Sequence, residues 1–183
     1  MNWPYELGAS VSTLQCSFEQ VVAQFQRPLA QFLYRFVFRQ EVAIDLTQET
    51  FVKAYLNLQR YENDRPFSTW LFSIASNLAK DHLRKHSRVT EVPFDESLPE
   101  DQEVSFRQPD QQLDATELGD AIEAAIAALP LLYREPLLLR HSAGLSVEQI
   151  ADVLGTSDGV VKTRLFRARA RLQEVLGKEW LPR

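Results

Sequence analysis

The run SVEQIADVLGTSDGVVKTRLFRARARL, residues 146–172, decides the fold. Two helices are written into it with a three-residue joint between them. Ser146 stands three residues before Gln149, the spacing at which a serine oxygen and a glutamine side chain cap each other's backbone amides. Ile150, Ala151, Val153 and Leu154 give this first helix its inward side, and Gly155 closes it, because glycine adopts the left-handed conformation at a helix end without strain. Ser157 is placed as N-cap of a second helix, with Asp158 favourably set in its first turn. At about 100° per residue around a helix axis, Val161, Leu165, Ala168 and Leu172 share one side and predict a core stripe.

The opposite side of that helix, from about Asp158 to Leu172, presents Val160, Lys162, Thr163, Phe166 and Arg167, flanked by Arg164, Arg169 and Arg171. Two helices joined by the short turn Gly155-Thr156-Ser157 outline a helix-turn-helix. Only the N-terminal turns of the second helix of such a unit enter the major groove. Lys162, Thr163, Phe166 and Arg167 are therefore assigned to base edges, with the Arg167 fork suited to guanine. Arg164, Arg169 and Arg171 are assigned to phosphates, which position the helix without reading sequence. A basic helix is often no more than a solvated surface. The aromatic Phe166 among the charges, and the tight turn before them, favour DNA.

Upstream, Leu118, Ile122, Ala125, Ile126 and Leu129 form an apolar stripe that stops at Pro130. A short helix is expected near Glu135 to Ser142, with Pro136 in its first turn, where proline is tolerated, and Gly144 after it. Before these lies TEVPFDESLPEDQEVSFRQPDQQLDA, residues 90–115. Its three prolines, dense acids and missing helical period mark a linker. It is longer than an ordinary connection, so it is either a solvated tether or a functional loop.

Nearer the N-terminus, Phe18, Val21, Val22 and Phe25, then Leu29, Phe32, Leu33 and Phe36, recur at helical spacing. Asp45 is read as the N-cap of the next helix, with Gln48 in the capping-box position and Leu46, Phe51, Ala54, Tyr55 and Leu58 on its buried side. Pro66 breaks the chain before a long helix that begins FSTWLF, residues 67–72. In that helix Trp70, Leu71, Ile74 and Leu78 are core positions, while Thr69, Ser73, Asn77, Lys80, Asp81 and Arg84 make a polar side that ends in basic residues. Such a side beside Tyr61, Phe67, Trp70 and Phe72 suits unpaired bases, which stack and hydrogen-bond, although aromatic residues at these spacings more often belong to a core.

The net charge of −5 is unevenly spread. Residues 1–88 carry +2, residues 89–117 carry −8 and residues 118–183 carry +1. The acidity belongs to the linker, and both flanks are mildly basic, as phosphate contact needs. A single cysteine, Cys16, excludes a disulfide framework and suits a reducing compartment. The N-terminus lacks the basic start and apolar centre of a signal peptide, and no apolar run reaches the roughly 20 residues that span a bilayer. A cytoplasmic protein with no membrane insertion is expected.

DLTQETFVKAYLNLQRY, residues 45–61, followed by FSTWLFSIASNLAKDHLR, residues 67–84, resembles region 2 of the extracytoplasmic-function (ECF) sigma factors of bacterial RNA polymerase. LPLLYREPLLLRHSAGLSVEQIADVLGTSDGVVKTRLFRARARL, residues 129–172, resembles region 4 of the same family. The resemblance implies an all-α chain of two small helical domains: region 2 over residues 13–88, an acidic linker over 89–117, and a region 4 helix-turn-helix over 118–178. It also implies partners: core RNA polymerase through its clamp and flap regions, promoter DNA, and an anti-sigma factor in a stress or envelope response. Asp45, Gln48, Glu49 and Phe51 fall where the family grips the polymerase clamp. Asn77 falls where an extruded −10 base is read, with Phe67, Trp70 and the loop 62–68 forming the pocket and Lys80, Asp81 and Arg84 beside it. Lys162, Thr163, Phe166 and Arg167 fall where the −35 element is read. The linker resembles the segment that threads the polymerase channels. Val160 departs from the pattern, standing where a threonine is common, and residues 1–10 match nothing assignable.

Two other classes compete. His82 and His86 have the i, i+4 spacing of metal ligands, but no third ligand is evident, and no metal or cofactor is expected. No glycine-rich phosphate loop, nucleophile elbow or catalytic carboxylate pair is present, so the chain is not read as an enzyme. A stand-alone helix-turn-helix regulator is the remaining alternative; it predicts two-fold half-sites and tight operator binding by the free chain.

Overall fold

The computed structural model describes residues 18–61, 65–89 and 115–177. Cys16, loop residues 62–64, and residues 90–114 of the acidic segment lie outside them. Among the described residues there are seven α-helices, one 3-10 turn and no strand. The helices are α1 (Phe18–Val37), α2 (Gln40–Leu56), α3 (Phe67–Val89), α4 (Ala115–Ala128), α5 (Leu131–His141), α6 (Val147–Leu154) and α7 (Asp158–Leu176), with the 3-10 turn at Leu58–Arg60.

The N-terminal helices pack because each carries an apolar stripe. Val21, Phe25, Leu29, Phe32, Leu33 and Phe36 are buried along α1, and Phe32 meets Phe72 of α3 edge-on with ring centres 5.3 Å apart. Pro28 lies inside α1 and the helix runs on through it. The two-residue joint between α1 and α2 depends on Phe38, which adopts a left-handed φ of 51°. That turn starts α2 at Gln40, well before the expected cap at Asp45. Arg39 occupies the N-cap with no side-chain bond, and Asp45 sits within the helix instead. Capping chemistry at Asp45 is overridden because Ala43 and Leu46 are buried together and carry the helix through. Tyr55, expected inward, is 58% exposed.

In the C-terminal half, α5 also starts earlier than expected. Pro130, with φ fixed at −52°, is its N-cap, and the Pro130 carbonyl accepts from the amides of Tyr133 and Arg134. Pro136 therefore lies in the second turn rather than the first. The α6–α7 unit follows the sequence closely. Ser146 Oγ accepts from the Gln149 amide while Gln149 Oε1 accepts from the Ser146 amide, a complete capping box of the kind that contributes about 1 kcal/mol. Gly155 takes φ 60° and ψ 41°, and the Thr156 amide returns to the Ala151 carbonyl at 3.0 Å. Ser157 is the extended N-cap of α7 but makes no side-chain bond there.

The two halves also touch. Helix α3 packs against α6, and α1 packs against α4 and α5. Arg35 of α1 pairs with Glu123 of α4 at 2.8 Å, and the Arg134 guanidinium of α5 lies 5.4 Å from the Phe38 ring centre. Among the described residues no helix is long and apolar enough to cross a membrane.

Candidate nucleic-acid and polymerase interfaces

Helix α7 is held from beneath by Val161, Leu165, Ala168 and Leu172, all buried, as its periodicity predicts. Locking one side fixes what the other presents. Phe166 is 73% exposed, with Val160, Lys162, Thr163 and Arg169 also exposed. Arg164, Arg167 and Arg171 are half-buried at the flanks. The Thr163 hydroxyl donates to the Gly159 carbonyl at 2.9 Å, which ties this exposed side chain to the helix backbone. The Arg171 guanidinium lies 5.0 Å from the Tyr133 ring centre, a cation–π contact inside this half of the molecule. The ring thus holds the side chain at the flank where its phosphate role is expected.

The local field is positive. The His141 pKa is lowered by burial first, and then by Arg169 and Arg140. The Glu148 pKa is also lowered, chiefly by the hydrogen bond from Ser146 and by its own backbone amide, with Lys162 and Arg140 adding to them. One carboxylate near the basic face is thus held charged at the start of α6, where a helix N-terminus favours it.

The second surface lies on α2. Ile44, Asp45, Gln48, Glu49, Val52, Tyr55 and Leu56 are all exposed and recur at three- and four-residue intervals, which places them on one side of the helix. Leu56 is 72% exposed, and Glu49 pairs with Lys53 at 3.1 Å. This is an exposed apolar strip edged by carboxylates, the kind of patch that suits docking. Of the four expected contacts here, Asp45, Gln48 and Glu49 are on this side. Phe51 is not: it is buried, edge-on to Phe18 with ring centres 6.3 Å apart, and supports the surface from below. Sequence reasoning missed Ile44, Val52, Tyr55 and Leu56. Their signal was a surplus of apolar residues on a helix whose inward side was already filled.

The third surface is on α3. Asn77 and Asp81 are exposed, and Arg84 is exposed with Nη1 3.4 Å from Asp81 Oδ1. Phe67 and Trp70, expected to line a base pocket, are corrected to core. They are buried with Tyr61 in a cluster whose ring centres lie 5.2–5.4 Å apart. Thr69, placed on the polar side, is buried as well. Lys80 pairs with Glu135 of α5 at 3.1 Å. His82 and His86 stack with ring centres 4.0 Å apart, and His86 Nδ1 is 2.9 Å from the His82 carbonyl oxygen. No group of three metal-ligating side chains occurs among the described residues.

Fold and surfaces together define a DNA-binding helix-turn-helix protein with a second helical domain. The comparisons give the family. The sigma-70 region 2 model matches residues 21–89 and the sigma-70 region 4 model matches residues 119–172. The chain is 32% identical to the ECF RNA polymerase sigma factor SigW of Bacillus subtilis, over 88% of this chain and 90% of that one. It is 33% identical to the RNA polymerase sigma-H factor of Pseudomonas aeruginosa, over 87% and 86%. Among solved structures it is similar to the sigma factor RpoE in complex with the anti-sigma factor NepR from Bartonella quintana, with TM-score 0.70, 26% identity, and coverage of 88% and 98%. CnrH in complex with the cytosolic domain of CnrY gives TM-score 0.66 and 28% identity, over 92% and 93%. The chain belongs to the ECF sigma factors of RNA polymerase. It is a transcription initiation factor.

Proposed function

We propose that this sigma factor docks on core RNA polymerase through the exposed side of α2 and reads a promoter at two places. Asp45, Gln48 and Glu49 meet a basic partner surface, and Ile44, Val52, Tyr55 and Leu56 supply the apolar area. Asn77 hydrogen-bonds an extruded base of the −10 element, with Asp81, Arg84 and, once released from Glu135, Lys80 beside it. Lys162, Thr163, Phe166 and Arg167 read the −35 element in the major groove, and Arg164 and Arg169 hold phosphates. The domain boundaries are those expected above: residues 13–88, an acidic linker over 89–117, and 118–178. An anti-sigma factor controls the chain by covering these surfaces, a reading supported by the likeness to RpoE, which was solved with such a factor bound.

The observation that carries this proposal is the division of α7 into a buried stripe and an exposed side with Phe166 among its cations. Tethering both heads to one polymerase lets each bind only moderately, because the second contact forms at high effective concentration. Run-off transcription with core enzyme tests it. Promoter-specific transcripts are expected only when the chain is added to core. Tight operator binding by the chain alone, with no promoter-specific transcript, would establish the stand-alone regulator instead.

A further inference from the structure

Glu135 is a buried carboxylate at the contact between the two halves. Its Oε1 accepts a hydrogen bond from Ser76 Oγ and lies 3.1 Å from Lys80 Nζ. Ser76 and Lys80 are one turn apart on α3, in the part that matches region 2, whereas Glu135 is on α5, in the part that matches region 4. The side chains of the ion pair keep 20% exposure at Lys80 and 10% at Glu135. Asn77 and Asp81, their neighbours on α3, are exposed, so Lys80 is the cation of this polar side that is turned into the contact.

A carboxylate is expensive to remove from water unless it is paired and hydrogen-bonded. Such a pair adds little net stability compared with apolar packing, yet losing one partner is costly, so it specifies one arrangement rather than cementing it. The other charged ties across this contact are more exposed or lack a charged partner: Arg35 and Glu123 are about one-third exposed, and Arg134 overlies the Phe38 ring. The 25 residues between Val89 and Ala115 are long enough to let the halves part, since an extended chain spans up to about 3.5 Å per residue.

We propose that Glu135 is a latch that holds the free sigma factor closed, and that the closed form withholds Lys80 from DNA phosphates. The latch itself stands on the geometry above; the withholding of Lys80 rests on the DNA-reading proposal. Opening exchanges the Glu135–Lys80 pair for water on one side and phosphate on the other. Polymerase or promoter binding thus has to overcome the latch, which weakens the hold of the unbound factor on −10 DNA by one phosphate contact.

The test is energy transfer between dyes on the two halves of the full chain, at Gln59→Cys and Glu174→Cys, both exposed positions, in a Cys16→Ser background. Glu135→Lys and Lys80→Glu are each expected to raise the open population roughly tenfold or more, as for a half-buried charge facing its like. The double variant Glu135→Lys/Lys80→Glu is expected to close again. Circular dichroism checks that the helices persist, and the isosteric Glu135→Gln, which keeps the Ser76 bond, serves if a reversed charge unfolds the chain. Unchanged transfer in every folded variant, or a double variant no more closed than the singles, overturns the latch. Glu135→Gln should also bind a promoter fragment several-fold more tightly as the free chain; opening without that gain overturns the withholding of Lys80. Failure of core-dependent transcription would sink the sigma mechanism and leave the transfer result unaffected.

Discussion

Helices α7 and α3 both carry residues proposed to face DNA, yet they are built differently. In α7 the two sides are separate: four residues 3–4 apart are buried, Lys162, Thr163, Phe166 and Arg169 are exposed, and Arg164, Arg167 and Arg171 are half-buried between them. Its supports, α5 and α6, come from the same half of the molecule. In α3 the side expected to face bases is divided three ways. Thr69 is buried, Lys80 is paired across to α5, and Asn77, Asp81 and Arg84 are exposed. On the proposed function the helix-turn-helix is therefore a finished reading head on its own, whereas the proposed latch would leave the −10 head complete only when the two halves part. Substitutions on the two helices should separate accordingly.

The largest expected effect concerns the aromatic cluster on α3. If Phe67 is core rather than pocket, Phe67→Ala removes a buried ring packed on Phe25, Tyr61 and Trp70, and costs about 3–5 kcal/mol. Asn77→Ala, on an exposed site, should stay within about 0.5 kcal/mol of the parent while abolishing most −10-dependent open-complex formation. Urea unfolding and permanganate footprinting read the two effects. A mild loss of stability at Phe67, with a severe loss of melting, would return that ring to the base pocket and bring α3 closer to α7 in design.

A sharper contrast lies within α7, between adjacent residues. Leu165 is buried, and Leu165→Ala should cost about 2–5 kcal/mol, taking the helix-turn-helix with it. Phe166→Ala should leave unfolding almost unchanged but lower −35-dependent transcription by roughly tenfold, a loss of about 1.4 kcal/mol of base contact. If Phe166→Ala instead lowers the melting temperature as Leu165→Ala does, the division of α7 into two sides fails.

How much was legible follows the same division. The α6–α7 unit could be read residue by residue, because its signals are local: a capping box at Ser146, a left-handed glycine at 155 and a four-residue stripe. Where the structure departs from the sequence, a non-local or atypical contact decides. Phe38 turns left-handed, a conformation no pattern announces for phenylalanine, and so moves the start of α2 from Asp45 to Gln40. Pro130, not Pro136, begins α5. The second apolar side of α2 was hidden because a filled inward side already satisfied the periodicity. The pairing of Glu135 with Ser76 and Lys80 spans 59 residues or fewer of sequence separation, and nothing local marks it.

The smallest effect bears on the half that is otherwise self-contained. His141 is the last residue of α5, where the helix dipole favours a cation. Burial, with Arg169 and Arg140 nearby, outweighs that and lowers its pKa below the ordinary 6.5. The unfolded chain therefore takes up the proton more readily than the folded one, so acidification favours unfolding. The contribution is fully present above pH 6.5 and is lost as pH falls through that value towards the lower folded pKa. His82 of α3 shifts in the same direction, through burial first and then His86, Arg39 and Lys85, so both halves weaken together in acid. Replacing His141 by Gln should remove only the share of the region 4 half. The drop in urea midpoint between pH 7.5 and 5.5 should then be smaller in His141→Gln than in the parent, and smaller again with a further His82→Gln. Equal drops in parent and His141→Gln would mean that solvent reaches this imidazole freely, and that the basic surround of α7 exerts no force on the core behind it.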